Sequence, residues 1–162
     1  MAAQLPDKIF FEADWMDLYS NPLEDYWIKR GKKHPAFLAA SNCKRGYIAS
    51  WELQDNHLYL KAIDGNVEKK FLFFSKRTSS YTLRSLFPKS MNKLVKAIWF
   101  SGKLRIPLGK MTMYEHHAYD SRFEKEQIIT VDRGEILKSV TLDFMQKKLV
   151  VTADMTDRSH ST

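Results

Sequence analysis

Gly46-Tyr47-Ile48-Ala49-Ser50-Trp51-Glu52-Leu53-Gln54-Asp55-Asn56-His57-Leu58-Tyr59-Leu60-Lys61-Ala62-Ile63-Asp64-Gly65-Asn66 decides the fold class of this chain. Tyr47, Ala49, Trp51 and Leu53 point one way, and Ile48, Ser50, Glu52 and Gln54 the other, which is the period of a half-buried strand. Asp55-Asn56 turns the chain into a second strand, His57 to Ile63, where Leu58, Leu60 and Ala62 alternate with Tyr59, Lys61 and Ile63. The triplet Asp64-Gly65-Asn66 tolerates the positive φ of a tight turn and is read as the next reversal.

Working outward, Phe71 to Phe74 is the next expected strand, and the polar, basic stretch Ser75 to Thr82 is an expected exposed loop. Toward the amino terminus, Lys8 to Glu12 is a short strand candidate and Pro22 to Arg30 a brief helix. Asn21 precedes Pro22 there, acids lie at the start, bases at the end, and Gly31 stops it. Lys32 to Lys44 reads as a loop crossing the domain. Toward the carboxyl terminus, Met91, Leu94, Val95 and Ile98 recur at helical spacing, with Lys89, Lys93 and Lys96 on the far side, so a second helix is expected between Ser90 and Gly102. Lys103 to Pro107 and Met111 to Tyr119 are strand candidates. Phe123 to Val131 and Glu135 to Asp143 form a hairpin turned at Asp132-Arg133-Gly134, and Leu149 to Thr152 pairs last. The expected fold is therefore mainly β (α+β): a curled antiparallel meander of about 7–9 strands with two short helices. One globular domain over residues 1–153 and a frayed tail over 154–162 complete the expected organisation.

At 162 residues the chain can bury a full core without a staple. The single cysteine, Cys43, allows no internal disulfide. With no secretory start or apolar span, the expected location is the cytoplasm, with no transmembrane segment.

Charge is unevenly placed. The chain carries net +7, yet residues 1–68 hold eight bases against ten acids and residues 115–162 seven against nine. Between them, residues 69–114 hold Lys69, Lys70, Lys76, Arg77, Arg84, Lys89, Lys93, Lys96, Lys103, Arg105 and Lys110 and no acid at all. Such a run favours an acidic or polyanionic partner; the plainer alternative is a solvated face balanced by carboxylates of the flanking strands.

Several blocks of the sequence carry a resemblance: Arg45-Gly46-Tyr47-Ile48-Ala49, Trp51-Glu52, Leu58-Tyr59-Leu60, Leu86-Phe87-Pro88, Trp99-Phe100-Ser101-Gly102, Leu104-Arg105-Ile106-Pro107 with Gly109, and Tyr114 through Glu124-Lys125-Glu126. Over roughly Leu18 to Leu142 the chain resembles a family of small bacterial proteins with no established function. The resemblance implies a bacterial origin and one compact domain, and brings no activity with it.

Chemistry-bearing groups are few. Glu115, His116, His117 and Asp120 have the residue types of a metal site or an acid/base pair, but on a strand His116 and His117 face opposite ways, so no metal and no cofactor are expected. Cys43 beside Lys44-Arg45 could be activated by positive charge, yet a plain thiol is the simpler reading. No nucleophile elbow, phosphate loop or dinucleotide fingerprint occurs, so the balance leans away from an enzyme. Arg45 is expected in a structural ion pair with a carboxylate such as Glu52 or Glu124; Arg105 is read either in such a pair or as an outward anion-binding fork. The expected binding residues are Lys76, Arg77, Arg84, Lys89, Lys93, Lys96, Lys103, Arg105 and Lys110.

The leading expectation is a non-enzymatic protein-binding module that docks on an acidic protein, in the manner of an immunity or antitoxin partner of an intracellular toxin. The alternatives are an RNA- or DNA-binding protein using the same bases with Tyr81, Phe87, Trp99 and Tyr114 for stacking, and a small enzyme centred on Glu115 and His117. Membrane-surface binding by the basic, apolar helix after Ser90 is a further option, weaker because its apolar face is needed in the core.

Overall fold

The structure, a computed structural model, describes residues 3–73, 75–91 and 93–145, and the backbone of 148–153. The expected tail 154–162 lies outside the described residues.

The fold is mainly β, as expected. Nine full strands and one two-residue strand make up a single mixed sheet: β1 (Asp7–Phe11), β2 (Asp14–Leu18), β3 (Tyr47–Gln54), β4 (His57–Phe71), β5 (Ser75–Tyr81), β6 (Val95–Lys96), β7 (Gly102–Met113), β8 (Arg122–Asp132), β9 (Glu135–Asp143) and β10 (Lys148–Ala153). The main path runs β2-β1-β3-β4-β9-β8-β7. All pairings are antiparallel except β1 with β3, where Ile9 lies opposite Trp51. The two ends of this path approach each other. The Tyr19 amide donates to the Arg105 carbonyl at 2.7 Å, and the Ser20 hydroxyl donates to the Lys103 carbonyl and accepts from the Arg105 amide, both at 3.1 Å. The sheet is thereby nearly a barrel.

Helix α1 (Pro22–Lys29) forms as read and buries Pro22, Leu23, Tyr26 and Trp27. The Trp99 indole donates to the Pro22 carbonyl at 2.9 Å. Around it sits an aromatic cluster in which Tyr26, Trp27, Phe37, Tyr47, Phe87 and Trp99 make edge, tilted and stacked contacts at centroid distances of 5.1–6.3 Å. Tyr26, Trp27, Tyr47 and Trp99 belong with Ile9, Leu18, Trp51, Leu58, Leu60, Leu104, Ile106, Ile129 and Ile136 to one buried core, against which Phe37 and Phe87 pack.

Four expectations are corrected. Strand β4 does not turn at Asp64-Gly65-Asn66 but runs straight through it, with Tyr47 opposite Gly65. Gly65 serves close approach instead: a Cβ there would stand 3.0 Å from the Phe37 ring and from Tyr47 Cβ. Within β4 the register shifts where Ser50 faces Ala62 and Trp51 faces Leu60. That bulge reverses the alternation, so Ile63 is buried and Ala62 exposed. The stretch Ser75 to Thr82 is no loop; it is strand β5, paired with β4, and Phe71 ends β4 instead of starting a strand of its own. Among the described residues no helix follows Ser90, where one was expected. Helix α2 (Leu83–Leu86) and a 3-10 turn (Pro88–Ser90) come before it, and β6 and a turn follow, with Ala97, Trp99 and Phe100 buried and Met91 and Ile98 exposed. Backbone bonds to the sheet override the helical spacing, since β6 pairs Val95 with Leu60 and the Ala97 amide donates to the Leu58 carbonyl at 2.9 Å. Finally, β7 ends at Met113, so residues 114–121 form a loop where a strand to Tyr119 was expected.

Candidate binding surface

Two arginines of the sequence blocks are structural. Arg45 donates to Asp7 Oδ1 at 2.7 Å and to the Leu5 carbonyl at 2.7 Å. Asp7, wholly buried, also accepts from the Ala49 amide and the Trp51 indole, each at 3.0 Å. Burial pushes the Asp7 carboxyl above its ordinary range, and the Arg45 guanidinium, followed by the backbone and indole donors, pulls against it. The expected partners Glu52 and Glu124 are thus replaced by a residue of β1, which the parallel pairing places beside β3.

Arg105 takes the inward role and leaves the expected binding set. It is half-buried on β7, donates through Nε to Glu126 at 2.7 Å and through its other nitrogens to the Tyr119 carbonyl at 2.6 Å and the Ser121 carbonyl at 3.1 Å, and lies over the Tyr19 ring. A guanidinium so occupied is not an outward anion fork.

The other bases behave differently. Lys69, Lys70, Arg77, Arg84, Lys89, Lys93, Lys96, Lys103 and Lys110 are exposed, and none is ion-paired among the described residues. Lys76 alone of the exposed bases in this run meets a carboxylate, Glu68, at 3.6 Å. The bases are not carried on one element. Arg84 is on α2, Lys89 in the 3-10 turn, Lys96 on β6 and Lys103 and Lys110 on β7, whereas Lys69, Lys70, Lys76 and Arg77 are brought together on the β4–β5 hairpin by the pairs Lys69↔Arg77 and Lys70↔Lys76.

At the end of that hairpin lies a feature the sequence reading missed. Phe71, Leu72 and Phe73 are 41%, 76% and 96% exposed. Their signal was present as an apolar run between Lys69-Lys70 and Lys76-Arg77, but it reads as the next strand of the meander. Arg77 lies 3.7 Å from the Phe71 ring centroid, a cation stacked on the aromatic face.

The remaining candidates are spread over the 114–121 loop and its surroundings. His117 Nδ1 stands 3.7 Å from Asp120 Oδ2, with side chains 62% and 66% exposed. His116 contacts the Tyr114 hydroxyl, and Glu115 is held through its backbone by Ser121 Oγ. Among the described residues no three His, Cys, Asp or Glu side chains are grouped to hold a metal. His117 borders a cleft of about 350 Å³ with Gln4, Asn21, Lys44, Arg45 and Tyr119. Cys43 is buried, its thiol directed at the Tyr47 carbonyl 3.5 Å away. Of the nucleic-acid stacking candidates, Trp99 is buried and Tyr81 and Phe87 pack against the core, leaving Tyr114 exposed. Among the described residues no helix is long and apolar enough to cross a membrane.

No family model, no curated protein and no solved structure matches the chain.

Proposed function

We propose that the protein is a binding module that docks an acidic protein through the bases of residues 69–114. One observation carries the reading: nine of the eleven bases in that segment are exposed without an ion-pair partner among the described residues. Unpaired, like-signed charges repel one another and are relieved when an acidic surface covers them, which steers association and sets its specificity. In its sharper form the reading makes the partner an intracellular toxin that the protein neutralises in the manner of an immunity or antitoxin protein. The burial of Trp99 and the packing of Tyr81 and Phe87 remove three of the four rings that a base-stacking surface would use, which favours a protein partner over RNA or DNA.

The test is capture of partners from lysate of the native host, with and without nuclease, by the wild-type chain and by Lys93→Glu/Lys96→Glu. An acidic protein that survives nuclease and is lost with the double variant supports the reading. Nuclease-sensitive material whose affinity falls by about 10³-fold or more between 50 and 200 mM salt, as counterion release demands for six or more phosphate contacts, overturns it in favour of nucleic acid.

A further inference from the structure

From the β4–β5 hairpin we infer a second interaction: its tip is built to enter the surface of an anionic lipid bilayer. Strand β4 is flanked by β3 as far as Gly65, and then by the 36–38 segment, whose Leu38 amide donates to the Asn66 carbonyl at 2.8 Å and whose Ala36 carbonyl accepts from the Glu68 amide at 3.1 Å. Beyond Glu68 the hairpin continues as a two-stranded arm, because β5 pairs with β4 and with no other described strand. Three residues of strand carry the tip about 10 Å past that last support.

The tip is apolar and exposed. Leu72, at φ 57°, takes the left-handed conformation of a turn between Phe71 and Phe73, and none of the three belongs to the core. A protruding trio of large apolar side chains costs solubility unless something apolar receives it. Directly behind it sits a collar of four cations, Lys69, Lys70, Lys76 and Arg77, placed by the strand register on both sides of the arm. This order along one axis, apolar end first and cations behind, matches the order of an anionic leaflet met from water: headgroup charge at the surface, hydrocarbon a few ångströms below. Long basic side chains can hold phosphate or carboxylate headgroups while their stems and the tip rest in the boundary region. The fluid bilayer needs no preformed pocket, which suits an exposed tip, whereas an acidic protein would have to supply a matching apolar cavity within a ring of carboxylates. The inference goes beyond the protein-partner reading and is tested without any partner present.

The experiment is cosedimentation of the full chain with vesicles of phosphatidylcholine containing phosphatidylserine, and with phosphatidylcholine alone. Wild-type protein is expected to sediment with the anionic vesicles only. Leu72→Asp/Phe73→Asp and Lys69→Glu/Lys70→Glu should each lower partitioning by on the order of tenfold or more, while far-ultraviolet circular dichroism shows both folded. A Leu72→Cys variant carrying an environment-sensitive fluorophore should blue-shift on anionic vesicles, reporting entry into the boundary layer. Failure of the wild type to sediment overturns the proposal. So does sedimentation that the tip variant leaves intact, which would be charge adsorption alone, and so does tip-dependent self-association without vesicle binding, which would make a second copy the occupant.

Discussion

Tyr47 shows how one side chain couples burial to pH. Its ring lies in the aromatic cluster and its hydroxyl donates to Glu24 Oε1 at 2.8 Å. Burial, with the negative charges of Asp7 and Glu24 adding to it, pushes the phenol far above its ordinary value of 10.0. Burial also raises Tyr19, Tyr81 and Tyr119. The unfolded chain releases these protons near pH 10 while the folded chain keeps them. Above that pH the folded state therefore binds more protons, and stability falls as pH rises; below it the contribution is fully present. The urea midpoint should be flat from pH 8 to 9.5 and drop above pH 10. Tyr47→Phe should cost about 1 kcal/mol at pH 8 through the lost hydrogen bond, yet decline less steeply above pH 10. An equally steep decline would clear Tyr47 of responsibility. At this scale the sequence revealed roles better than partners. Arg45 reads as an ion-paired arginine from its place at the head of a strand block, but Asp7 is invisible as its partner because nothing local announces a parallel pairing of β1 with β3.

Elements were legible where a single periodicity had no competitor. β3, β8, β9 and α1 follow from alternation, turn residues and the Pro22 start, and they stand close to where the residues place them, although Asn21 makes no side-chain cap bond to α1 and donates to the Tyr119 hydroxyl at 3.0 Å instead. The run Met91, Leu94, Val95, Ile98 fits a helix face equally well, yet backbone bonds from Ala97 and Val95 to β4 decide otherwise. β5 had no readable pattern, since a strand paired on one side and exposed over its first four residues needs no apolar alternation. The arm it forms adds little to the core: no described residue from 69 to 77 belongs to the buried cluster. Replacing residues 70–76 by a two-residue Asn-Gly turn should therefore leave the thermal midpoint within about 3 °C of the parent. A fall well beyond that, read by calorimetry, would mean the arm supports the barrel after all.

In the whole molecule, the seam between β2 and β7 brings the sheet toward closure, and Arg105 stands beside it. Its guanidinium ties β7 to Glu126 of β8 and to the 114–121 loop, while its backbone carries two of the three seam bonds, one with Tyr19 and one with Ser20. Arg105→Ala leaves Glu126 buried without its cation and should destabilise the protein by about 3 kcal/mol or more. Amide exchange at Tyr19 should speed up by more than that of Trp51 at the barrel's centre if the seam opens first. A uniform acceleration would mean the seam is no weaker than the rest.

That seam also sets a timetable. Ser20 has to wait for Lys103, 83 positions later in the chain. At the usual pace of translation, about 5–20 residues per second, the first hairpin leaves the ribosome on the order of ten seconds before the strand that completes its edge. During those seconds β3 can already cover β1, but the outer edge of β2 stays open until β7 emerges, an unpaired edge of the kind that invites pairing with another chain.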